Sequence, residues 1–591
     1  MWGIVNTEMC KSNKSNIDFT DIIKKPDGTC FASKKELVNC LNKQFVTAAD
    51  QCGAPIANSQ LYTLYLKHTT PSADRSIKLP WFTPNEVYNI IMKKVANKPT
   101  KDIYEISVEL LRSIADPLCT PLAILFNRCI RDGIYPEYFK KVRVVPLYKG
   151  KGKKTDSNCY RPISIIPAVA KIFENGLTSR ITNYLSSVAA ISDRQYAYRA
   201  GHSTTMLTRK VVECILNARE KGLEVALLFC DLSKAFDVAD HCVLATKFQH
   251  YGIDHRTLKL MLDFMSNRVQ YVTGSGCELK SDGLYTTVGV PQGSSLSNLA
   301  FSILLNDLPR IVENAEVYMY ADDVATVITA PGLDALEQKL NSVINQLAEW
   351  FRGNGLVLNL TKTQFICFDL SGRTRRQLVV NINDVRLQQV KAASFLGFQL
   401  DQTLSWDHHI ENLSGRLARS CFALSRLSST LSKKALRTCY FATFQSQVQY
   451  GVEFWGRAAD FERVCRLQRR AVRILAGIPS DQCVRPFFVS LKILTIPSLL
   501  ILQVGLYAPA QLHQYKKRGD TSQYQLRHAN RLNTVPHSLE KASRTIHAMS
   551  PRVYNKLPDY ITSVSNCNTF KYKLKRWLIE RSFYSYNEFI N

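Results

Sequence analysis

Three aspartates and a set of basic residues carry the chemistry available to this chain. Asp322 and Asp323 stand side by side in Tyr320-Ala321-Asp322-Asp323, between two apolar, β-prone runs at 315–320 and 324–328. Such runs on both sides of a short polar break read as a hairpin with the acids at its turn. Two carboxylates about 4 Å apart repel by roughly 4 kcal/mol at an effective dielectric near 20, so the pair needs water or a cation. Asp322, with help from Asp323, is expected to hold divalent metal; an Asp-Asp turn open to water accounts for these four residues equally well. A third acid, Asp231, directly follows the continuous apolar run 225–230. That run reads as a strand buried on both faces, and an acid where such a strand emerges is a natural metal or catalytic position.

The basic partners come earlier in the chain. Lys149 leads into Gly150-Lys151-Gly152-Lys153-Lys154, and Arg161 opens the next apolar run in Tyr160-Arg161-Pro162-Ile163-Ser164. Cations close to flexible glycines can surround a phosphate chain; a solvated hairpin tip is the plainer alternative. Carboxylates and cations in this order suit metal-assisted nucleotidyl transfer, in which two divalent ions roughly 4 Å apart activate the attacking oxygen and stabilise the leaving one. Asp231 and Asp322, on neighbouring strands, can hold the ions, and Lys149, Lys151 and Arg161 are candidates to neutralise a triphosphate. Mg²⁺ suits such a site because it takes few carboxylates plus substrate phosphates; Mn²⁺ is the alternative ion.

Periodicity and turn residues supply the frame. Helices are expected at 34–46, after a Thr83-Pro84 start, at 108–132 with a stop at Gly133, at 168–186, at 206–220, after Asp237 to about 251, at 298–308 and at 333–351. Strands are expected at 142–149, 225–230, 364–368 and 394–398. The loop 195–205 is polar, aromatic and basic. Val288 to Ser297 is a Gly/Pro/Ser turn that lets backbone approach a flat ligand closely. Residues 408–475 are mostly helical and basic, with Arg466, Arg469, Arg470 and Arg473 at helical spacing. Residues 527–552 and 571–581 add basic stretches interleaved with aromatics, a composition that fits single-stranded or structured nucleic acid.

Bulk properties narrow the partner. The 591 residues carry 46% hydrophobic and 21% charged residues, ordinary for a globular protein with a large core. The net charge is +27, of which +17 lies from Ser405 onward, where 28 basic residues meet 11 acidic ones. A charge of that size points to a polyanion, nucleic acid or anionic membrane. The most apolar stretch, 493–512, is interrupted by Pro497, Gln503 and Pro509, so a buried helix is expected rather than a membrane span. Met1 to Cys10 has no basic segment and no apolar core of the secretory kind. The 17 scattered cysteines form no CxxC pair, which suits reduced thiols and an intracellular setting, nucleus or cytoplasm.

Six short blocks now stand in order: Tyr160-Arg-Pro-Ile-Ser164, Asp231-Leu-Ser-Lys-Ala-Phe-Asp237, Gly289-Val-Pro-Gln-Gly-Ser294, Tyr320-Ala-Asp-Asp323, Asn359-Leu-Thr-Lys-Thr363 and Phe395-Leu-Gly397. In this order and spacing the chain resembles the reverse transcriptases of non-LTR (LINE-type) retrotransposons, most like the jockey/CR1-like group. The resemblance implies an α+β right-hand polymerase, with fingers, an antiparallel palm sheet flanked by helices, and a helical thumb. It implies an N-terminal extension over 1–100, fingers and palm over 101–400, thumb over 401–480, and a basic nucleic-acid-binding region over 481–591. By the same resemblance Asp231, Asp322 and Asp323 are the catalytic acids on two Mg²⁺ ions, and Arg161 with Lys149 or Lys151 holds the triphosphate. Phe236 sits under the sugar and excludes a 2′-hydroxyl, Gln292 and Gly293 touch template and nucleotide, Lys362 is a general acid for pyrophosphate, and Phe395, Leu396 and Gly397 grip the primer. The implied partners are an RNA template, a DNA primer or target and deoxynucleoside triphosphates, with no membrane; the implied activity is RNA-directed DNA synthesis in target-primed reverse transcription. A catalytically inactive, retrotransposon-derived nucleic-acid-binding protein is the alternative. The family often carries an endonuclease before the polymerase, and the segment ahead of the fingers is too short for one, so a polymerase half is expected. Two departures stand out: Asn298 where the family usually has Pro, and 100–105 without the usual Gly-Pro-Asp.

Overall fold

The computed structural model describes residues 19–67, 76–253, 255–274, 279–372, 376–382, 384–521, 530–534 and 536–591. Expectations for Met1–Cys10 and for Arg527, at the head of one basic stretch, lie outside them. Eight strands organise the first two thirds: β1 (Lys141–Tyr148), β2 (Tyr160–Ile165), β3 (Glu224–Cys230), β4 (Arg268–Val272), β5 (Leu284–Thr286), β6 (Ala315–Tyr320), β7 (Asp323–Ala330) and β8 (Gln364–Phe368). They form two sheets. One runs β2-β1-β4-β5; the other runs β8-β3-β7-β6, extended past β8 by the short strand Gln388–Gln389.

The second sheet is built around β3. Both of its neighbours are antiparallel, with Leu227 opposite Val327 on β7 and Ile366 on β8. Every side chain from Val225 to Leu228 is fully buried, as a continuous apolar run requires when helices cover both faces. Alternation splits them between two cores. Ala226, Leu228 and Cys230 face one that includes Leu336, Leu340 and Leu347 of the helix Leu333–Gly353. Val225 and Leu227 face another that includes Leu207, Val211 and Ile215 of the helix Thr204–Glu220. An antiparallel sheet is expected, and the sheet departs from that at one edge, where the short strand Gln388–Gln389 pairs parallel to β8; in the other sheet β1 and β4 pair parallel.

Three helical elements behind the sheet are locked by one buried ion pair. Lys247, on the helix His241–His250, donates to Asp307 at 2.5 Å, and both side chains are fully buried. Asp307 also accepts from Trp350 Nε1 at 2.9 Å, and burial pulls the Lys247 ammonium below its ordinary range. Removing one partner leaves a buried charge uncompensated. Lys247→Met is therefore expected to cost about 3–5 kcal/mol in urea unfolding, with much of the loss recovered in Lys247→Met/Asp307→Leu.

The helical remainder joins the second core. The helix Asp407–Leu427 packs on Phe461–Ala476, and the apolar helix Ile496–Ala510 is buried against Ile546–Tyr554 and Cys567–Arg581. No helix among the described residues is long and apolar enough to cross a membrane.

Three elements depart most from the sequence expectation. The helix predicted over 108–132 breaks at Ile114 into Val108–Ser113 and Ala115–Asp132. The helix predicted from Asn298 starts at Ser295 and ends at Leu304, because Ser294 rather than Asn298 is its cap, its Oγ accepting from the Leu296 and Ser297 amides at 3.2 Å. A separate short helix, Leu308–Ile311, follows. The strand predicted over 394–398 is a hairpin, Ala392–Phe395 paired with Phe398–Asp401, which turns at Leu396 (φ +47°) and Gly397 (φ +85°).

Candidate active site

The β6–β7 hairpin closes with Tyr320 opposite Asp323, which leaves Ala321 and Asp322 as the two-residue turn. Ala321 takes φ +55°, the left-handed region that a tight hairpin turn demands. Gln195 holds it there. Its Oε1 accepts from the Ala321 amide at 3.3 Å and from the Ala197 amide at 3.0 Å, and residue 195 bridges Met319 in parallel. The loop 195–205 thus supports the turn, a role that its sequence gave no sign of.

Register brings the acids together. The last β3–β7 pair is Cys230 with Val324, so the next residues outward are Asp231 and Asp323, with Asp322 one residue further along the turn. Asp323 keeps an exposed surface at the strand end, and its carboxyl is pushed up to about 6, first by the surrounding protein's displacement of water and then by the negative charges of Asp322 and Asp231. Lys362 answers part of this charge, its Nζ lying 3.2 Å from Asp231 Oδ2.

A cleft of about 620 Å³ opens over these residues. Asp231 and Asp322 stand on its wall with Lys149, Arg161, Lys234 and Lys362, and with Phe236, Asp237, Gln292 and Gly293. The Lys149 ammonium is held below its ordinary range, first by partial burial and then by the facing cations Arg161, Lys362 and Lys234. Cations that crowd one another in this way mark a place for an anion. Phe236 is stacked on Phe301, with ring centroids 4.4 Å apart and planes 17° apart. The loop at Gln292 is tied to β2, since the Ser164 amide donates to the Gln292 carbonyl at 2.9 Å. A Cβ on Gly293 would lie 2.7 Å from the Ser164 carbonyl oxygen at φ +124°, so only glycine fits there.

Other expected site residues fall elsewhere. Lys151 is exposed in its loop and does not line the cleft. Phe395 is buried against Phe229, which leaves Leu396 and Gly397 as the hairpin tip; Tyr450 Oη donates to the Leu396 carbonyl at 2.5 Å and braces it. The arginines of Phe461–Ala476 do not form one free face: Arg466 and Arg470 are exposed, but Arg469 pairs with Glu462 and Arg473 turns toward the Gln482 carbonyl. Tyr198, Asn298 and the helix Lys34–Val46, through Gln44 and Phe45, also line the cleft. That helix is fixed by Asn42, whose amide donates to the Gln270 carbonyl on β4 at 3.2 Å and the Asp282 carbonyl at 2.8 Å.

The donor set suits divalent metal. Three carboxylates stand together beside a cationic wall, and the charges of Asp322 and Asp231 help to push the Asp323 carboxyl up, a crowding that a hard, oxygen-seeking cation relieves. Among the described residues no three His, Cys, Asp or Glu side chains close on a single point; Lys362 draws on Asp231 from the cleft side.

Strand-end carboxylates facing a cationic wall across a cleft of this size define the class of site: one with room and charge for a phosphate-bearing ligand beside a group of acids. Residues 152–400 match the reverse transcriptase (RNA-dependent DNA polymerase) family. The chain is 27% identical over 412 residues to the probable RNA-directed DNA polymerase from transposon X-element of Drosophila melanogaster, covering 67% of this chain and 44% of that protein. It is 26% identical over 417 residues to the RNA-directed DNA polymerase from mobile element jockey of the same fly, covering 68% and 45%. It is 22% identical over 492 residues to the Pol polyprotein from type-1 retrotransposable element R1 of Bradysia coprophila, covering 82% and 46%. The chain spans about half the length of the curated relatives it matches. The matched residues include Arg161, Asp231, Asp322, Asp323 and Lys362, and the similar proteins are named for transposons, mobile elements and retrotransposable elements.

Proposed function

We propose that this chain is the RNA-directed DNA polymerase of a non-LTR retrotransposon, copying element RNA into DNA from a primer 3′-hydroxyl, in the manner of target-primed reverse transcription. The observation that carries the reading is the cleft in which Asp231 and Asp322 face Lys149, Arg161, Lys234 and Lys362. In right-hand terms the β8-β3-β7-β6 sheet is the palm, the β2-β1-β4-β5 sheet belongs to the fingers, residues 401–480 are the thumb, and 481–591 form a basic nucleic-acid-binding region. Residues 1–100 contribute the helix Lys34–Val46 to the cleft wall.

Asp231 and Asp322, with Asp323 beside them, would hold divalent metal, in our reading two Mg²⁺ ions. Bound there, the metal supplies Lewis-acid activation of the primer hydroxyl and charge neutralisation on the phosphates. Arg161 binds the triphosphate as a planar fork and Lys149 as a point charge. Lys362, exposed and reaching Asp231, is placed to move onto a departing pyrophosphate and give it a proton. Phe236 closes the sugar side of the cleft against a 2′-hydroxyl, so that deoxynucleotides are taken. Leu396 and Gly397, braced by Tyr450, present backbone to the primer strand. The direct test is extension of a DNA primer on an RNA template with Mg²⁺ and deoxynucleoside triphosphates. Absence of extension by the intact chain would favour the non-catalytic nucleic-acid-binding alternative.

The C-terminal region has a surface suited to its role. On the helix Cys567–Arg581, Lys571, Tyr572, Lys575 and Arg576 are exposed on one side, and Tyr572 is 67% exposed. An open ring between cations offers stacking and phosphate contact to single-stranded nucleic acid. Binding to a single-stranded RNA is expected to weaken steeply with salt. Lys571→Gln/Lys575→Gln is expected to make the log–log salt slope shallower by about 1.4, two phosphate contacts at roughly 0.7 each. An unchanged slope would take this helix out of the interface.

A further inference from the structure

Asp237 is a partly buried acid that the polymerase roles above leave unused. It closes the Asp231–Asp237 turn, its amide donating to the Lys234 carbonyl at 2.8 Å. Its Oδ1 accepts from Gln292 Nε2 at 2.9 Å. The two residues are held together by backbone on either side. The Val290 amide donates to the Phe236 carbonyl at 2.8 Å, and the Gly289 amide to the Ala239 carbonyl at 2.9 Å. A Cβ on Gly289, at φ +81°, would lie 2.6 Å from the Asp237 carbonyl oxygen, so the loop approaches this turn as closely as only glycine permits. The pair also separates two spaces: Asp237 and Gln292 line both the large cleft and a small cavity of about 50 Å³ behind the loop, where Arg268 and Ser164 stand.

An ionised carboxylate can only accept, whereas a side-chain amide can donate or accept according to which end is turned to its partner. Against Asp237, Gln292 must offer its nitrogen. Its carbonyl oxygen is then directed away from Asp237, and one amide orientation is selected from two. Resting on the polymerase reading, we infer that Asp237 is a positioning residue that fixes the Gln292 amide so that nucleotide and template meet it in a single orientation. Asp237 acts through Gln292 and touches no reacting atom. Its own surroundings fit a functional acid better than a structural one: burial pushes its carboxyl up to about 6, against the Gln292 bond and the Lys234, Lys149 and Arg161 charges that favour ionisation. Ionised at neutral pH, it costs the fold stability.

That opposition gives the test. Asp237→Asn can donate or accept, so it no longer selects one amide orientation, and it removes a buried charge. Binding of a fluorescent deoxynucleoside triphosphate to the full chain on a dideoxy-terminated primer–template, in Ca²⁺, reads the effect without turnover. Asp237→Asn is expected to weaken that binding about five- to tenfold while its melting temperature stays level or rises; Asp237→Glu, which restores an accept-only group, is expected to recover part of the loss. In a Gln292→Ala background Asp237→Asn is expected to do nothing further. Unchanged binding, a loss that persists in the Gln292→Ala background, or a melting temperature that falls together with binding would overturn the inference while leaving the polymerase reading intact. A wild-type chain that neither binds nucleotide on primer–template nor extends it would overturn both.

Discussion

Asp322→Ala is expected to lower RNA-templated primer extension by about a thousandfold or more, roughly 4 kcal/mol of transition-state stabilisation, and Asp231→Asn is expected to do the same. The two residues stand at the open end of adjacent antiparallel strands, on the wall of one cleft, and neither has a packing role that alanine or asparagine would disturb. Asp322 is exposed at the turn, and Asp231 is half-buried with Lys362 as its ion-pair partner. The loss should therefore fall on turnover, with the melting temperature nearly unchanged. Removing Asp322 also takes away one of the two negative charges that push the Asp323 carboxyl up, so its absence gives no reason for the fold to lose stability. Steady-state extension beside a thermal melt separates the outcomes. Extension that survives Asp322→Ala would remove the site assignment; extension lost together with the fold would make Asp322 structural.

How much of this was legible in the chain depends on whether the signal was local. The strand at 225–230 declared itself because a strand covered on both faces cannot alternate, and the acid at its end followed. The hairpin at Tyr320–Asp323 was readable for the same reason, two β-prone runs around a polar break. The hairpin at 392–401 was not, because its turn places Leu396 at positive φ, where sequence gives no warning, and Gly397 alone reads as part of a strand. The Gly/Pro/Ser composition of 288–297 reads as turn throughout and so puts the helix start at Asn298, yet Ser294 within that stretch does the capping. Long-range facts were the least visible. The helix at 34–46 showed its periodicity, but nothing near it announced that Asn42 would reach β4, 228 residues away, and bring Phe45 into the cleft. Asp237 stands in the Asp231–Asp237 block with nothing local to mark a role, since its partial burial and its bond to Gln292 exist only once the loop at 289–292 closes over it.

Phe236→Ala is expected to raise the ratio of ribonucleotide to deoxynucleotide incorporation about 10- to 100-fold. A pocket discriminates against one added group by contact alone, typically within one to two powers of ten, and that contact must be rigid to count. Phe236 is rigid here. Its ring lies stacked on the fully buried Phe301, and its carbonyl is held by the Val290 amide at 2.8 Å, so it cannot swing aside to admit a 2′-hydroxyl. Alanine opens that space and forfeits the stacking, worth about 0.5–1.5 kcal/mol, which sets the expected stability cost apart from the change in selectivity. Phe236→Leu keeps most of the bulk and is expected to stay within a few-fold of the parent ratio. Single-nucleotide incorporation with matched ribo- and deoxyribonucleoside triphosphates measures both variants. Equal ratios in the parent and the alanine variant would mean that the sugar does not lie against this ring, and the source of sugar selection would then have to be sought among the other residues lining the cleft, Tyr198 and Asn298 first.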